Sequence, residues 1–362
     1  MVIVALLIGA CGGGNARAPT PTKRANDRLD ALVAGARGEG ELTLSWSAGF
    51  LDNPNELSGY VESFNKLYGL NVRVRFTASG AFAEDEARLI ADTEGGQVSF
   101  TDVFLGTEAE ISALAKAVAL SPEMWTAWAP NIASLKLVAP GGIAVEVQSR
   151  VPGITYSTQR LIGADIPRSL ADLLRPRYRG RIATTPDAAT FDRLASPDLW
   201  GPDRTVEFAK KLGPQLGGVI ECGDEARVVR GEFDIFVFDC GSARVAQLKA
   251  DGALIGWSVP ADAAFLRYLY MGVPKTAAHP SAARLWINFM LDRAAQDLMY
   301  QYEYADHYLI PGSRSFTEVD RATKAGVKFY EVTVEAVQSE DARGFKSAAS
   351  QIQSVLRLTS RK

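Results

Sequence analysis

Histidine is almost missing from this 362-residue chain, which holds only His279 and His307. That scarcity excludes a metal cage built on imidazole and most catalytic dyads that need a general base near neutral pH. Charge of one sign is missing too. The 39 basic and 42 acidic side chains leave a formal net charge of -3, no basic run stands out, and no nucleic-acid partner is expected. Beyond residue 10 no apolar run is long enough to span a membrane. No Gly-x-Ser-x-Gly elbow, His-Glu-x-x-His pair or P-loop occurs, so neither an enzyme nor a bound cofactor is expected. Cysteine is sparse. Besides Cys11 there are Cys222 and Cys240, which in an oxidising compartment are expected to pair with each other, free thiols or metal ligation being the alternatives.

What is present begins at the N-terminus. The apolar run Val2 to Ile8, the small residues Gly9 and Ala10, and then Cys11 resemble the lipobox of bacterial lipoproteins. The resemblance implies a signal peptide over residues 1–11 and a lipidated Cys11. Acyl chains would then hold the chain on the periplasmic or extracellular face of the cell membrane, without a spanning helix. A frayed apolar terminus is the alternative. Residues 12–38 lack hydrophobic periodicity before Leu29 and read as a flexible tether running into a first short helix.

The length fits two globular lobes rather than one core. Leu42-Thr43-Leu44-Ser45-Trp46 alternates as a strand, and Leu57, Tyr60, Val61, Phe64, Leu67 and Tyr68 repeat at helical spacing up to Gly69. Val72, Val74 and Phe76 form a second strand, a helix is predicted from Phe82 to Asp92, and Val103-Phe104-Leu105 is a buried strand. The alternation repeats with strands at Arg181–Thr184, Val219–Ile220 and Phe233–Phe238, a helix starting near Ala188 or Ala189, and a helix over Gly241–Lys249. Strand-helix-strand order of this kind means parallel pairing with right-handed crossovers. Residues 143–147 and 153–156 read as crossing segments, and Phe265 to Met271 as the return. The expectation is an α/β protein of two lobes, each a mixed, mainly parallel sheet flanked by helices, joined by crossing hinge strands. Residues 39–148 with 264–362 would form lobe 1, and 149–263 lobe 2.

Several stretches together resemble the type 2 periplasmic-binding-protein fold. More narrowly, they are similar to the extracellular solute-binding proteins of ABC transporters, in the ferric-iron-binding-like branch. They are Gly40–Leu44, Phe64–Val72, Thr101–Phe104, Pro152–Thr158, Asp165–Leu174, Tyr178–Ala183 and Val273–Pro280. The resemblance implies a monomer that captures a small solute between its lobes and delivers it to an ABC transporter permease. A periplasmic hydrolase or transferase, or a surface lipoprotein binding protein partners, are the readings from other classes.

Ligands of such sheets bind beyond the carboxyl ends of the strands. That places Trp46, Ser47, Ser79, Gly80, Gly106 and Thr107 at the cleft, as ligand contacts or as ordinary turn and core residues. Thr185 and Thr190 flank a strand-to-helix turn suited to an anion, or to plain N-capping. Tyr156 sits in a crossing segment. Tyr268 and Tyr270 share one strand face, as solute walls, metal ligands or hinge braces. In the iron-binding branch two adjacent tyrosines follow the last strand of lobe 2, where this chain has Phe238-Asp239-Cys240-Gly241. Their absence favours an anionic or organic solute without metal, with Asp239 facing the ligand or capping a helix. A ferric captor using Tyr268 and Tyr270 is the runner-up.

Overall fold

A computed structural model describes residues 21–47, 50, 54–133, 136–185, 190–239, 241–343, 351–352 and 354–356. Cys11 and Cys240 lie outside them. The first sheet is built on β1 (Glu41–Ser47) and β2 (Arg73–Ser79), parallel and in register from Glu41 opposite Arg73 to Ser47 opposite Ser79. Leu42, Leu44 and Trp46 of β1 all point into the core, whereas β2 hides Val74 and Phe76 only in part and exposes Arg73 and Arg75. The crossover helix Pro54–Tyr68 buries Tyr60 and Phe64, the latter packing 5.2 Å from the Trp286 ring. Gly69 ends it at φ +60°, a conformation costly for any residue with a Cβ.

The helix Phe82–Glu94 leads to β3 (Phe104–Gly106), and a parallel bridge from Leu44 to Val103 carries the sheet on from β1. Next come β4 (Val145–Arg150), which ends in this sheet, and β5 (Ile154–Ser157), which begins the other. The second sheet adds β6 (Ile182–Thr184), β7 (Leu216–Val219), β8 (Ile235–Val237) and β9 (Ile255–Ser258) in the order β7-β6-β8-β5-β9. The chain then returns through β10 (Ala264–Gly272), antiparallel to both β3 and β4, and β11 (Phe329–Glu331) runs parallel to its start. Both sheets are mixed. In the second, β6 pairs in parallel with β7 and β8, and β5 pairs antiparallel with β8 and β9. Only three residues separate β4 from β5 and five separate β9 from β10, so the two lobes are joined by short crossings.

Two expectations change. The segment expected to be a tether up to residue 38 is the helix Pro21–Glu39 over most of its length. Leu32 and Ala36 are buried, and Glu39 accepts the free N–H groups of Ser281 and Ala282 at the start of the helix Pro280–Met290. Tertiary packing thus stabilises a sequence whose own periodicity is weak. The C-terminal stretch, assigned to lobe 1, packs against both lobes. Val332, Val337, Ile352 and Leu356 join the second core, and Val334 joins the one beneath β10.

A buried charge network runs through the same region. Arg193, after β6, lies 3.0 Å from Glu340 and 3.9 Å from Glu108, and Arg267 of β10 reaches Glu108 at 2.6 Å. Both glutamates are fully buried. Removing one cation strands charge in a low-dielectric interior, at about 3–5 kcal/mol. Arg193→Met should therefore lower the urea midpoint by an equivalent amount. A midpoint within error of the parent would show that the network adds nothing.

Candidate functional site

The crossing from β4 to β5 determines the site. Asp239, just after β8, is buried and accepts hydrogen bonds from the backbone N–H of Gly153 at 3.0 Å and of Gly241 at 3.1 Å, and from the Thr155 hydroxyl. It ties the crossing strand to the first turn of the helix Ser242–Ala250. Burial pushes its carboxyl above the ordinary aspartate value despite these bonds. Asp239 therefore builds the site from behind.

In front of it lies a cavity of about 620 Å³, within the usual range for a small-molecule site. Its lobe-1 wall includes Ser47, Arg150 and Arg314, and its lobe-2 wall Glu225, Ser242 and Arg244. Arg314 already spans the two sides. Its Nη1 donates to Ser242 Oγ at 2.8 Å and to Glu318 at 2.6 Å, while Nε donates to the Tyr304 carbonyl. Arg244 donates to the Gly223 carbonyl at 3.3 Å and lies 4.0 Å from Glu225.

Arg150 differs from these two. It stands directly opposite Arg267 in the β4–β10 ladder, a like-charge pair. Arg267 has Glu108, but Arg150 enters no ion pair among the described residues and donates only to Gln148 Oε1 at 3.2 Å. Burial, and after it the charge of Arg267, pull its pKa below the usual arginine value. It is a cation at the cavity wall whose carboxylate neighbours, Glu303 and Glu108, act on it through space and form no ion pair with it among the described residues.

Glu225 is the acidic counterpart. Its side chain is 1% exposed, its Oε1 accepts a long bond from the Gly223 N–H at 3.4 Å, and its Oε2 has no hydrogen-bond partner. Burial pushes its pKa up to about 7. Cys222 also lines the cavity and is disulfide-bonded.

Of the residues singled out by sequence, Ser47 and Cys222 reach the cavity wall. The others among the described residues lie elsewhere. Trp46 is a core residue whose indole donates to the Phe50 carbonyl at 2.7 Å. Ser79 donates to Asp85 at 2.5 Å, next to Gly80, at the start of the helix Phe82–Glu94. Thr107, after Gly106, closes a capping box with Glu110 on the helix Glu108–Lys116. Tyr156 covers Gly256 within the second sheet. Thr185 is buried just after β6, and Thr190 is buried ahead of the short helix Phe191–Leu194, in the left-handed region at φ 71° and with no side-chain capping bond; residues 186–189 between them lie outside the described residues.

Tyr268 and Tyr270 are buried behind the hinge and donate at 2.9 Å to Glu331 and Glu146, respectively. Burial, reinforced by these carboxylates, drives both phenols far above their ordinary values. Among the described residues no group of three or more His, Cys, Asp or Glu side chains could hold a metal ion. No described helix is long and apolar enough to cross a membrane.

The profile of the bacterial extracellular solute-binding protein family matches residues 59–329, about three quarters of the chain. The chain belongs to that family. As an extracellular solute-binding protein it is a substrate-binding component of the ABC importer class, whose members bind small solutes and deliver them to a permease. Such proteins are transport components and generally not enzymes. An Fe(3+)-binding periplasmic protein of Serratia marcescens is 23% identical over 267 residues, covering 69% of this chain and 75% of the relative. Iron-bound HitA from Pseudomonas aeruginosa superposes with a TM-score of 0.67 at 18% identity, over 87% of this chain and 99% of HitA. AfuA from Actinobacillus pleuropneumoniae, with fructose-6-phosphate bound, gives 0.58 at 21% identity, over 74% and 83%. At these identities the superpositions establish the type 2 periplasmic-binding-protein fold.

The raised Glu225 has a consequence for stability. The folded state holds a proton there that the unfolded state releases near the ordinary glutamate value, so this contribution to stability is lost as pH rises from about 4.5 through about 7. The solute-binding protein with Glu225→Gln should melt like the parent at pH 5 and higher than it at pH 8. The gain at pH 8 should be up to roughly 3 kcal/mol, read by thermal denaturation at the two pH values.

Proposed function

We propose that this solute-binding protein captures a small anionic organic solute, of the phosphate-ester or carboxylate kind, in the cavity between its lobes. The observation that carries the reading is Arg150, a guanidinium at the cavity wall whose strand neighbour is another guanidinium and whose only polar partner is an amide. An anion there would give Arg150 the direct ion pair that Glu303 and Glu108, acting through space, do not, with the fork geometry that suits arginine to such groups. Arg244 and Arg314 add positive charge from either lobe. Closure would bring the lobe-2 wall onto a solute already held by lobe 1. AfuA, whose structure holds a phosphate ester, supports the same chemistry.

The Fe(3+)-binding relative favours a second reading, capture of ferric ion. Tyr268 and Tyr270 would have to leave their buried carboxylate partners to serve it. The chemistry of the wall supports the anion.

A thermal-shift screen of the full-length protein against phosphate esters, organic acids, polyamines, thiamine and ferric salts tests this. Anions should raise the melting temperature, since a ligand selective for the folded state must stabilise it. Arg150→Gln should weaken the best of them by about 10- to 100-fold in titration calorimetry, the worth of a charged hydrogen bond. Stabilisation by polyamines or ferric salt alone, with a violet tyrosinate band in the ferric case, would replace the reading.

Delivery to a permease is more efficient when the captor is held beside it. The lipobox-like run ending in Cys11 supports a lipid anchor on the outer face of the membrane. Cys11→Ser should move the protein from the membrane fraction to the soluble extracytoplasmic fraction. Unchanged fractionation would argue against the anchor.

A further inference from the structure

The cavity holds a second unmatched group, on the lobe facing Arg150. Glu225 follows the disulfide-bonded Cys222, closes the loop that leads into the short helix Ala226–Val229, and lines the cavity. Its Oε2 is buried without a hydrogen-bond partner, and Arg244 Nε, the nearest cation, stands 4.0 Å away, too far to donate. A buried acceptor left unsatisfied costs about 1–3 kcal/mol, more when ionised, and a donor brought by the solute would recover it. Ser47 and Gln247 also line the cavity as uncharged polar neighbours, and Glu56 and Glu303 line it from lobe 1.

We infer that Glu225 receives a hydrogen-bond donor of the solute whose anionic end lies on Arg150, so that the cargo is an anion also carrying a hydroxyl or an ammonium group. This rests on the anion reading of the same cavity. Arg150 belongs to a strand of the first sheet, and Glu225 to the second lobe. A solute holding both therefore bridges the lobes. A plain anion satisfies one lobe only and gives closure less to gain. Glu225 in this account sets specificity and coupling to closure.

Three small phosphate esters separate the possibilities on the full-length protein: sn-glycerol 3-phosphate with hydroxyls, phosphoethanolamine with an ammonium group, and methyl phosphate with neither. By calorimetry at least one of the first two should bind about 10-fold or more tightly than methyl phosphate. Glu225→Leu, which removes the acceptor, should erase that gap. If Glu225→Gln preserves the gap, the donor is a hydroxyl, which needs only an acceptor. If it also loses the gap, the donor is the ammonium group, which needs the charge. Equal binding of all three esters, or a gap that survives Glu225→Leu, overturns the inference. Should methyl phosphate bind in a manner abolished by Arg150→Gln without such a gap, the anion reading stands and only the role of Glu225 falls. Should none of the three bind and the thermal-shift screen find no stabilising anion, carboxylates included, both fall.

Discussion

Two guanidiniums set side by side, Arg150 on β4 and Arg267 on β10, are the constraint around which this molecule is organised. The strands that join the lobes must pair, and their pairing brings like charges together in a place with little water. Arg267 is neutralised from within by Glu108, which closes one side of the problem. Glu108 is shared with Arg193, and Arg193 with Glu340, so neutralising one hinge residue recruits the second lobe and a C-terminal helix into one network. Arg150 lies at the open end of that chain of charges. In the proposed function its complement is the solute. The electrostatics of the hinge and the chemistry of the solute are one question, because each opposes or completes the same pair.

The carboxyl groups divide into those engaged by the fold and one that keeps an oxygen free of hydrogen bonds. Asp239 spends both oxygens on two backbone N–H groups and a hydroxyl, fixing the angle at which the crossing strand meets the helix Ser242–Ala250. Glu146 and Glu331 take the hydroxyls of Tyr270 and Tyr268. Glu225 keeps an oxygen unmatched in a wall of the cavity. A carboxyl with every lone pair engaged has nothing to offer a solute. One left short of partners does.

Much of the architecture is legible in the sequence because its signals are local. Alternation in Leu42 to Trp46 and the spacing of Tyr60 and Phe64 each describe one element packed on one core, and both elements form where the pattern puts them. The helix Pro21–Glu39 is illegible for the opposite reason. Its fit depends on Gly35 lying against Ser281 and on Glu39 capping a helix 242 positions away. The site is less legible than the fold. Small hydroxyls at strand ends have two uses, and here Ser79 donates to Asp85 of the following helix while Thr107 caps the next one. The spacing of Thr107 and Glu110 is that of a capping box, a signal that favours the structural use. Arg150, Arg244 and Arg314 come from three distant segments, so no motif could unite them. The one sequence hint was a lone arginine ending a strand that is otherwise buried.

The tyrosine pair shows why residue type alone does not make a metal site. Phenolate oxygen binds a hard trivalent ion only after the proton leaves, and a site must make that departure easy. Tyr268 and Tyr270 sit in the reverse situation. Each donates its proton to a carboxylate, and burial with neighbouring negative charge raises the cost of ionising either ring. Their rings pack edge to face 6.2 Å apart, and Tyr268 stacks on buried His307, which places the pair within the packing behind the hinge. The cavity in front carries guanidinium, hydroxyl and amide groups together with the carboxyl groups of Glu56, Glu225 and Glu303. The difference in position between these two sets of side chains is the physical ground on which the anion is proposed over the ferric ion.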